Sequence, residues 1–172
     1  MKDRTEFCLQ GRPKLAEPYH LKGIGLPNIY LLNGVTFESD PHYGELVTIE
    51  NLKGLHAANG LHIIEKSTPM TGTEFRFLRK QMRLTQVALA KLMLVTDQTI
   101  ANYEKENTKS LGSADPLMRL VYLLHILPRE SKVDLLKVLV DEIERQSSKT
   151  RVPDPPRRKI VEGWHEAPLV AA

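Results

Sequence analysis

Three polar residues near position 100 have the side chains and the spacing to read DNA bases. Gln98 and Asn102 are four residues apart, so on a helix they share one face, and Thr99 follows Gln98 directly. Glutamine and asparagine amides can bond both N6 and N7 of adenine, and threonine can offer a hydroxyl or touch the thymine methyl. We therefore predict that these three side chains read base edges of double-stranded DNA. The alternative is that they are polar side chains that only face water.

Positive charge is concentrated in the same part of the chain. Residues 71–109 contain seven Lys or Arg and four Asp or Glu, a net charge of +3, whereas residues 1–70 have a net charge of −1. A polyanion is attracted to such a block. Cationic and amide side chains contact phosphates and supply affinity without sequence choice. We predict this role for Arg79, Lys80, Arg83, Gln86 and Lys105.

The segment 84–105 has the pattern of two short helices joined by a tight turn. Ala90 is a small residue where the two helices would cross closely, and Val95 is the apolar residue that we expect to be buried in the turn. Ile100 and Tyr103 would anchor the second helix inward, which leaves its polar side chains outside. These features predict a helix-turn-helix whose second helix enters the major groove.

Further helices are predicted on both sides of this pair. Thr85 and Thr96 are suited to begin its two helices. Apolar stripes predict one helix before it and one after it, defined by Phe75, Leu78 and Met82, and by Leu117, Leu120, Val121 and Leu124. The helices at 114–127 and 129–146 have more apolar surface than a helix-turn-helix needs. We expect them to form the contact of a homodimer, because a palindromic operator presents two half-sites about 34 Å apart.

The N-terminal part of the chain is rich in β signals. A strand at 28–32, the turn dipeptide Asn33-Gly34 and a partner strand at 35–37 predict a hairpin. A second strand is predicted at 45–49 and a helix at 52–66. The expected divisions are an irregular N-terminus at 1–18, a small β-hairpin module at 19–66, a helix-turn-helix domain at 67–127, an amphipathic helix at 128–148 and a disordered, basic, proline-rich tail at 149–172. The fold class is therefore predicted as mainly α, with a small β-rich module and a five-helix type of helix-turn-helix domain.

The central segment resembles the helix-turn-helix of the Cro/CI-like regulators, the XRE family. The matching residues are Leu84-Thr85-Gln86, Leu89-Ala90 and Tyr103-Glu104, and the resemblance covers about residues 71–125. It implies a DNA-binding transcriptional regulator, most often a repressor. This chain departs from the family pattern at Leu94, where the family usually has glycine. A left-handed Leu94 would be strained by about 1 kcal/mol.

A second resemblance concerns the whole arrangement of the chain. A β-rich module followed by a helix-turn-helix is similar to the MqsA (YgiT-type) antitoxins, which repress their own operon and bind a toxin. In that family the module holds zinc through CxxC knuckles, to which residues 7–11 and 42–45 would correspond. Three of the four thiols are missing, and only Cys8 is present, so no zinc is expected. The resemblance implies a type II toxin–antitoxin pair, with a cognate toxin protein as partner.

Other classes of protein receive less support from the composition. The single cysteine excludes an internal disulfide framework, no apolar run approaches the roughly 20 residues of a membrane span, and the N-terminus has no apolar signal region. We expect a cytoplasmic protein with no membrane partner, no cofactor, no metal and no catalytic site. Two alternatives stay open. One is a stand-alone repressor or activator that uses residues 19–66 to bind a ligand or protein. The other is a metal-dependent enzyme that uses His20, His42, His56 and His62.

Overall fold

The fold is a mixture of helices and small sheets, seen in a computed structural model that describes residues 4–106, 110–128, 131–134, 137, 140 and 164–166. In chain order the elements are β1 (Thr5–Leu9), β2 (Tyr19–His20), β3 (Ile29–Leu31), β4 (Val35–Asp40), β5 (Gly44–Ile49), α1 (Leu52–Glu65), α2 (Gly72–Gln81), α3 (Gln86–Met93), α4 (Asp97–Glu104), α5 (Ala114–Ile126) and β6 (Trp164–Glu166). The fold is therefore mixed α/β, which corrects the expectation of a mainly α protein.

A four-stranded sheet joins strands from distant parts of the chain in the order β2-β3-β1-β6. Strand β3 lies parallel to β1, whereas β2 is antiparallel to β3 and β6 is antiparallel to β1. The predicted irregular segment 1–18 thus contains β1, and the predicted disordered tail contains β6. Neither strand was expected, because both are stabilised by partners far away in sequence. The rest of the tail lies outside the described residues.

The predicted pairing of segment 28–32 with 35–37 is wrong, and Asn33 supplies the reason. Its buried side chain accepts a hydrogen bond from the Leu9 N–H at 2.6 Å. The same amide donates to the carbonyl oxygens of Leu9 and Arg12, at 3.1 and 2.8 Å. The Asn33-Gly34 dipeptide therefore attaches the end of β3 to β1 instead of closing a turn between neighbouring strands.

Strands β4 and β5 form a separate two-stranded sheet, the β4–β5 hairpin, with a register that runs from Val35 opposite Ile49 to Asp40 opposite Gly44. The strand predicted at 45–49 is confirmed as β5. At the tip, the Asp40 carboxylate accepts hydrogen bonds from the backbone N–H groups of His42 and Tyr43, at 2.7 and 2.9 Å. Such a local side-chain acceptor stabilises a tight turn.

One cluster of buried hydrophobic side chains includes members from β1, β3 and each of the helices α1 to α5. The helix predicted at 52–66 is confirmed as α1, and its Gly60 lies where α5 packs closely. A Cβ atom on Gly60 would come within 2.0 Å of the Tyr122 hydroxyl. The core is thus continuous across the predicted boundary at residue 66.

Helix α5 faces the core differently from the prediction. Its buried residues are Ala114, Met118 and Tyr122, spaced by four, whereas the predicted stripe of Leu117, Leu120, Val121 and Leu124 is exposed or half-buried. The face of α5 that packs against α1 must fit closely at Gly60. Tyr122 makes this fit, so the face that carries Tyr122 is the one that is buried. Beyond α5, residues 131–134, 137 and 140 have helical backbone, within the helix predicted at 128–148; its other residues lie outside the described ones.

Candidate nucleic-acid interface

Helices α3 and α4 begin at the two predicted capping threonines. The Thr85 hydroxyl accepts from the Ala88 N–H at 3.0 Å, and the Thr96 hydroxyl accepts from the Thr99 N–H at 3.1 Å. Each bond satisfies a backbone donor that the first turn of a helix leaves without an intrahelical partner. Both caps are local features, and both predictions are confirmed.

The inward faces of α3 and α4 consist of aliphatic side chains. Leu89 and Ile100 are fully buried, and Ala90 and Met93 nearly so. Tyr103 is half-buried, with its ring edge-on to Phe75 of α2 at 5.7 Å. The predicted anchors Ala90, Ile100 and Tyr103 thus pack as expected, and α2 packs against the inward side of α4. Leu92, which precedes Met93 on α3, is exposed.

The connection between the two helices is held by its backbone. Leu94 ends α3 in the left-handed conformation, with φ 54° and ψ 40°, and its side chain is 92% exposed. The N–H groups of Leu94 and Val95 both donate to the Ala90 carbonyl oxygen. Val95 is exposed, so its predicted burial in the turn is wrong. A left-handed residue closes the turn geometrically, and no apolar side chain is needed to hold it.

The predicted base-reading residues lie on the outward side of α4. Gln98 is exposed, and its Nε2 donates to Asn102 Oδ1 at 3.1 Å, so the expected juxtaposition of the two amides is present. Thr99 shares a hydrogen bond of 2.8 Å with the Thr96 hydroxyl. Within the described residues no hydrogen bond uses Gln98 Oε1 or Asn102 Nδ2. The amide pair therefore retains one acceptor and one donor for an external ligand.

Arg79 occupies a different place from the other predicted cations. Its side chain is 12% exposed and is paired with Glu104, whose side chain is 4% exposed. Arg79 Nε and Nη2 donate to the two carboxylate oxygens, and Nη1 donates to the Leu84 carbonyl oxygen at 2.8 Å. This two-point pairing fixes α2 against α4. Arg79 is therefore part of the support of the surface, which the prediction of a phosphate contact did not foresee.

Gln86 is joined to the same carboxylate, since its Nε2 donates to Glu104 Oε2 at 2.9 Å. Burial by itself raises the pKa of Glu104. Hydrogen bonds from Arg79 and Gln86, with the positive charges of Arg79 and Arg76, outweigh burial and hold the pKa of Glu104 below its usual value. The carboxylate thus stays charged and orients both the guanidinium and the amide.

The other predicted cations, Lys80, Arg83 and Lys105, are exposed. Arg76 is exposed as well and was missing from the predicted set. With Thr85, Gln86 and Lys105 it lines an open groove of about 470 Å³, and Arg79 and Glu104 form the rest of its wall. The sequence did contain a signal for Arg76, because it precedes Arg79 by three residues and so lies near it on one helix face. The cationic surface consists of Arg76, Lys80, Arg83 and Lys105.

The four histidines considered for a metal site do not come together. His20 stacks on Tyr30, His56 bonds Gln81 and meets Phe77 edge-on, His62 meets Phe7 edge-on, and His42 lies at the tip of the β4–β5 hairpin. Among the described residues no group of three or more His, Cys, Asp or Glu could hold a metal ion.

Partial burial raises the pKa of the Cys8 thiol, against a smaller opposite effect of Lys14.

Comparisons with known proteins do not assign the chain to a family. No protein-family model, curated protein or solved structure matches it. Within the part of the chain that the structure describes, no helix has both the length and the apolar content to cross a membrane. The function must therefore be argued from the surface that α2, α3 and α4 present.

Proposed function

We propose that the protein is a sequence-specific transcriptional regulator that binds double-stranded DNA, with α3 and α4 as its helix-turn-helix. The observation that carries the proposal is the outward face of α4, where the Gln98 and Asn102 amides lie side by side next to Thr99. A short helix with polar side chains of this kind on its outward face fits the major groove, where each base pair presents its own pattern of donors and acceptors.

The surroundings of α4 suit the phosphates on either side of a groove. Arg76, Lys80, Arg83 and Lys105 are exposed, and cationic side chains of this kind supply most of the affinity for DNA without selecting a sequence. The carboxylate of Glu104 is nearly buried and neutralised by Arg79, so it adds little repulsion at this surface. Gln86, whose Nε2 donates one hydrogen bond to Glu104, can donate the other N–H to a phosphate oxygen.

We further propose that the protein acts as a homodimer on a palindromic operator. Two half-sites about 34 Å apart require two reading helices related by a two-fold axis. The apolar side chains that α5 leaves partly uncovered on one face, Leu117, Leu120, Val121 and Leu124, support this face as the contact between two copies. Sedimentation equilibrium should give twice the mass of the chain, and Leu117→Glu with Leu124→Glu should give the monomer.

The proposed biological setting is a type II toxin–antitoxin pair in which this chain represses its own operon. The support is the combination of the proposed DNA-binding surface with a β-containing part that lies outside α2 to α4 and exposes the β4–β5 hairpin. A stand-alone regulator would share the DNA chemistry and use the β-containing part for another ligand. Co-expression with the product of the adjacent reading frame separates the two. A toxic product that this chain neutralises supports the antitoxin, and a harmless neighbour contradicts it.

The DNA proposal is tested by selecting sites from a random duplex library and comparing them with the promoter of the gene itself. We expect an enriched inverted repeat that also occurs in this promoter, bound with an affinity that falls steeply with salt. Gln10→Ala, a change at an exposed glutamine in the N-terminal part, serves as the control for Gln98→Ala. If no sequence is enriched, the proposal is wrong.

A further inference from the structure

The β4–β5 hairpin stands out from the body of the protein. Every residue from 36 to 48 is exposed except Asp40, so both faces of the ribbon are open. Only its base enters the core, through Val35 and the half-buried Ile49. The ring of Phe37 lies edge-on to that of Tyr19, with the ring centroids 5.6 Å apart. A two-stranded hairpin alone is marginally stable in water, and the rest of the fold covers little of this one.

An apolar stripe leads from the core onto this hairpin. Residues opposite each other on one face include Val35 with Ile49 and Phe37 with Val47. Phe37 is 46% exposed although it is large and aromatic, and Tyr43 at the tip is 82% exposed. A group of exposed apolar side chains that continues from a core is typical of a protein interaction site. The outer edges of β4 and β5 pair with no other strand among the described residues.

The charge of the β4–β5 hairpin has a single sign. Residues 35–49 include Glu38, Asp40 and Glu45 but no Lys or Arg. Within the described part of the chain, no salt bridge uses Glu38 or Glu45. Their charge is therefore uncompensated on the hairpin, with Glu45 on the face of the apolar stripe and Glu38 on the opposite face, and it repels a nucleic acid while attracting a cationic surface.

We propose that the β4–β5 hairpin is a docking arm for a second, different protein whose contact surface is basic around an apolar groove. Phe37, Val47 and Tyr43 would fill the groove, and Glu38 and Glu45 would pair with the cations at its rim. A different protein is favoured over a second copy because the cationic surface of this chain is assigned to DNA. In this one respect the inference rests on the proposed function.

The experiment begins with a photo-crosslinking amino acid, p-benzoylphenylalanine, in place of Tyr43 in the full chain in its own cells. The captured protein is identified, purified and titrated against the unmodified chain at low and high ionic strength. We expect a basic protein whose affinity falls as salt rises, because the rim contacts are charged. Glu38→Lys combined with Glu45→Lys should weaken binding by about tenfold or more, and Phe37→Ser by a similar factor.

Glu65→Lys is the matched control, because it reverses an exposed acid on α1 outside the hairpin. It should leave the affinity unchanged. Thermal unfolding of each variant monitors the fold, and Tyr43→Ser repeats the test at a side chain too exposed to support the core. DNA binding is measured in parallel and should not be weakened by any hairpin variant, so that failure of the DNA proposal is recognised separately.

Several outcomes would overturn the docking arm. These are the absence of any crosslink, crosslinks only between copies of this chain, and an acidic captured protein. Affinity that neither salt nor the Glu38 and Glu45 reversal alters would also overturn it. A hairpin variant that loses DNA binding while its fold is intact would assign this hairpin to the nucleic acid instead.

Discussion

The outer side of α2 to α4 and the β4–β5 hairpin are two exposed surfaces that differ in the sign of their charge and in how well the core supports them. The helical surface is mainly cationic and polar; Asp97 is exposed at the start of α4, and the nearly buried Glu104 is neutralised by Arg79. The β4–β5 hairpin is acidic and apolar and has almost no support beneath it. A rigid cationic surface suits a polyanion, whereas an uncovered acidic ribbon suits a folded protein that completes it. The difference shows how one small chain can present separate surfaces to two classes of partner.

The largest expected effect concerns the support of the helical surface. Glu104→Ala should lower the free energy of unfolding by about 3–5 kcal/mol, because it leaves the Arg79 charge nearly buried and unpaired. Chemical denaturation measures this. Glu65→Ala, at an exposed acid on α1, should change stability by less than about 0.5 kcal/mol. Equal effects of the two changes would break the contrast between a supported and an unsupported acid.

The pH dependence of stability provides a second measurement on the same carboxylate. The pKa of Glu104 is lower in the folded chain, where burial is outweighed by Arg79 and Gln86. The folded state then binds fewer protons than the unfolded state as the pH drops below the ordinary pKa of glutamic acid. Stability from Glu104 is therefore complete above that pKa and is lost as the pH falls through the folded value. Glu104→Gln should make the stability curve flatter in this acid range, and an unchanged curve would contradict the assignment.

A smaller effect is expected on DNA recognition. Gln98→Ala and Asn102→Ala should each lower the affinity for the selected operator by about 1–3 kcal/mol and relax the choice of base. Arg76→Ala should weaken binding to all sequences alike and reduce the salt dependence. Fluorescence anisotropy with operator and random duplexes separates the two patterns. Phe37→Ser in the β4–β5 hairpin is the control, and any loss of operator affinity there would merge the two surfaces that we distinguish.

The packing of the body offers a comparable test of stability. Gly60→Ala should lower the free energy of unfolding by about 1–3 kcal/mol, because its Cβ would overlap the Tyr122 hydroxyl and ring. Thr48→Ala on the exposed β5 should have an effect below about 0.5 kcal/mol. Gly60→Ala should cost less stability in a Tyr122→Leu background than in the unmodified chain, and a double-mutant cycle measures this difference. Additive effects would mean that α1 and α5 are less closely packed than described.

The smallest expected effect is at the turn between α3 and α4. Leu94→Gly should raise the stability by up to about 1 kcal/mol, because glycine adopts the left-handed conformation without strain and the exposed leucine side chain contributes little. Leu92→Gly, at an exposed position inside α3, should instead destabilise by about 1 kcal/mol. Thermal unfolding of both variants provides the comparison. A loss of stability in Leu94→Gly would show that Leu94 makes contacts of its own.

The helices could be predicted well because their signals are local. Thr85 and Thr96 cap the helices that follow them, and the apolar periods of Leu89 and Ile100 set the buried faces. The four-stranded sheet could not be predicted, since β1 depends on partners in β3 and β6 that no short window contains. The pairing of Arg79 could not be predicted for a related reason. Its charge was visible, but its partner Glu104 is 25 residues further along the chain.

The pairing of β1 with β6 has a consequence for the newly made chain. Cys8 and His165 are partners in that ladder, so one edge of β1 cannot pair with β6 until about 150 further residues have been synthesised. At typical rates of synthesis this interval is on the order of 10–30 s, long compared with the formation of helices. During that time an open strand edge of the nascent polypeptide is available to other molecules. Chaperone occupancy near β1 should therefore persist until the residues of β6 have left the ribosome.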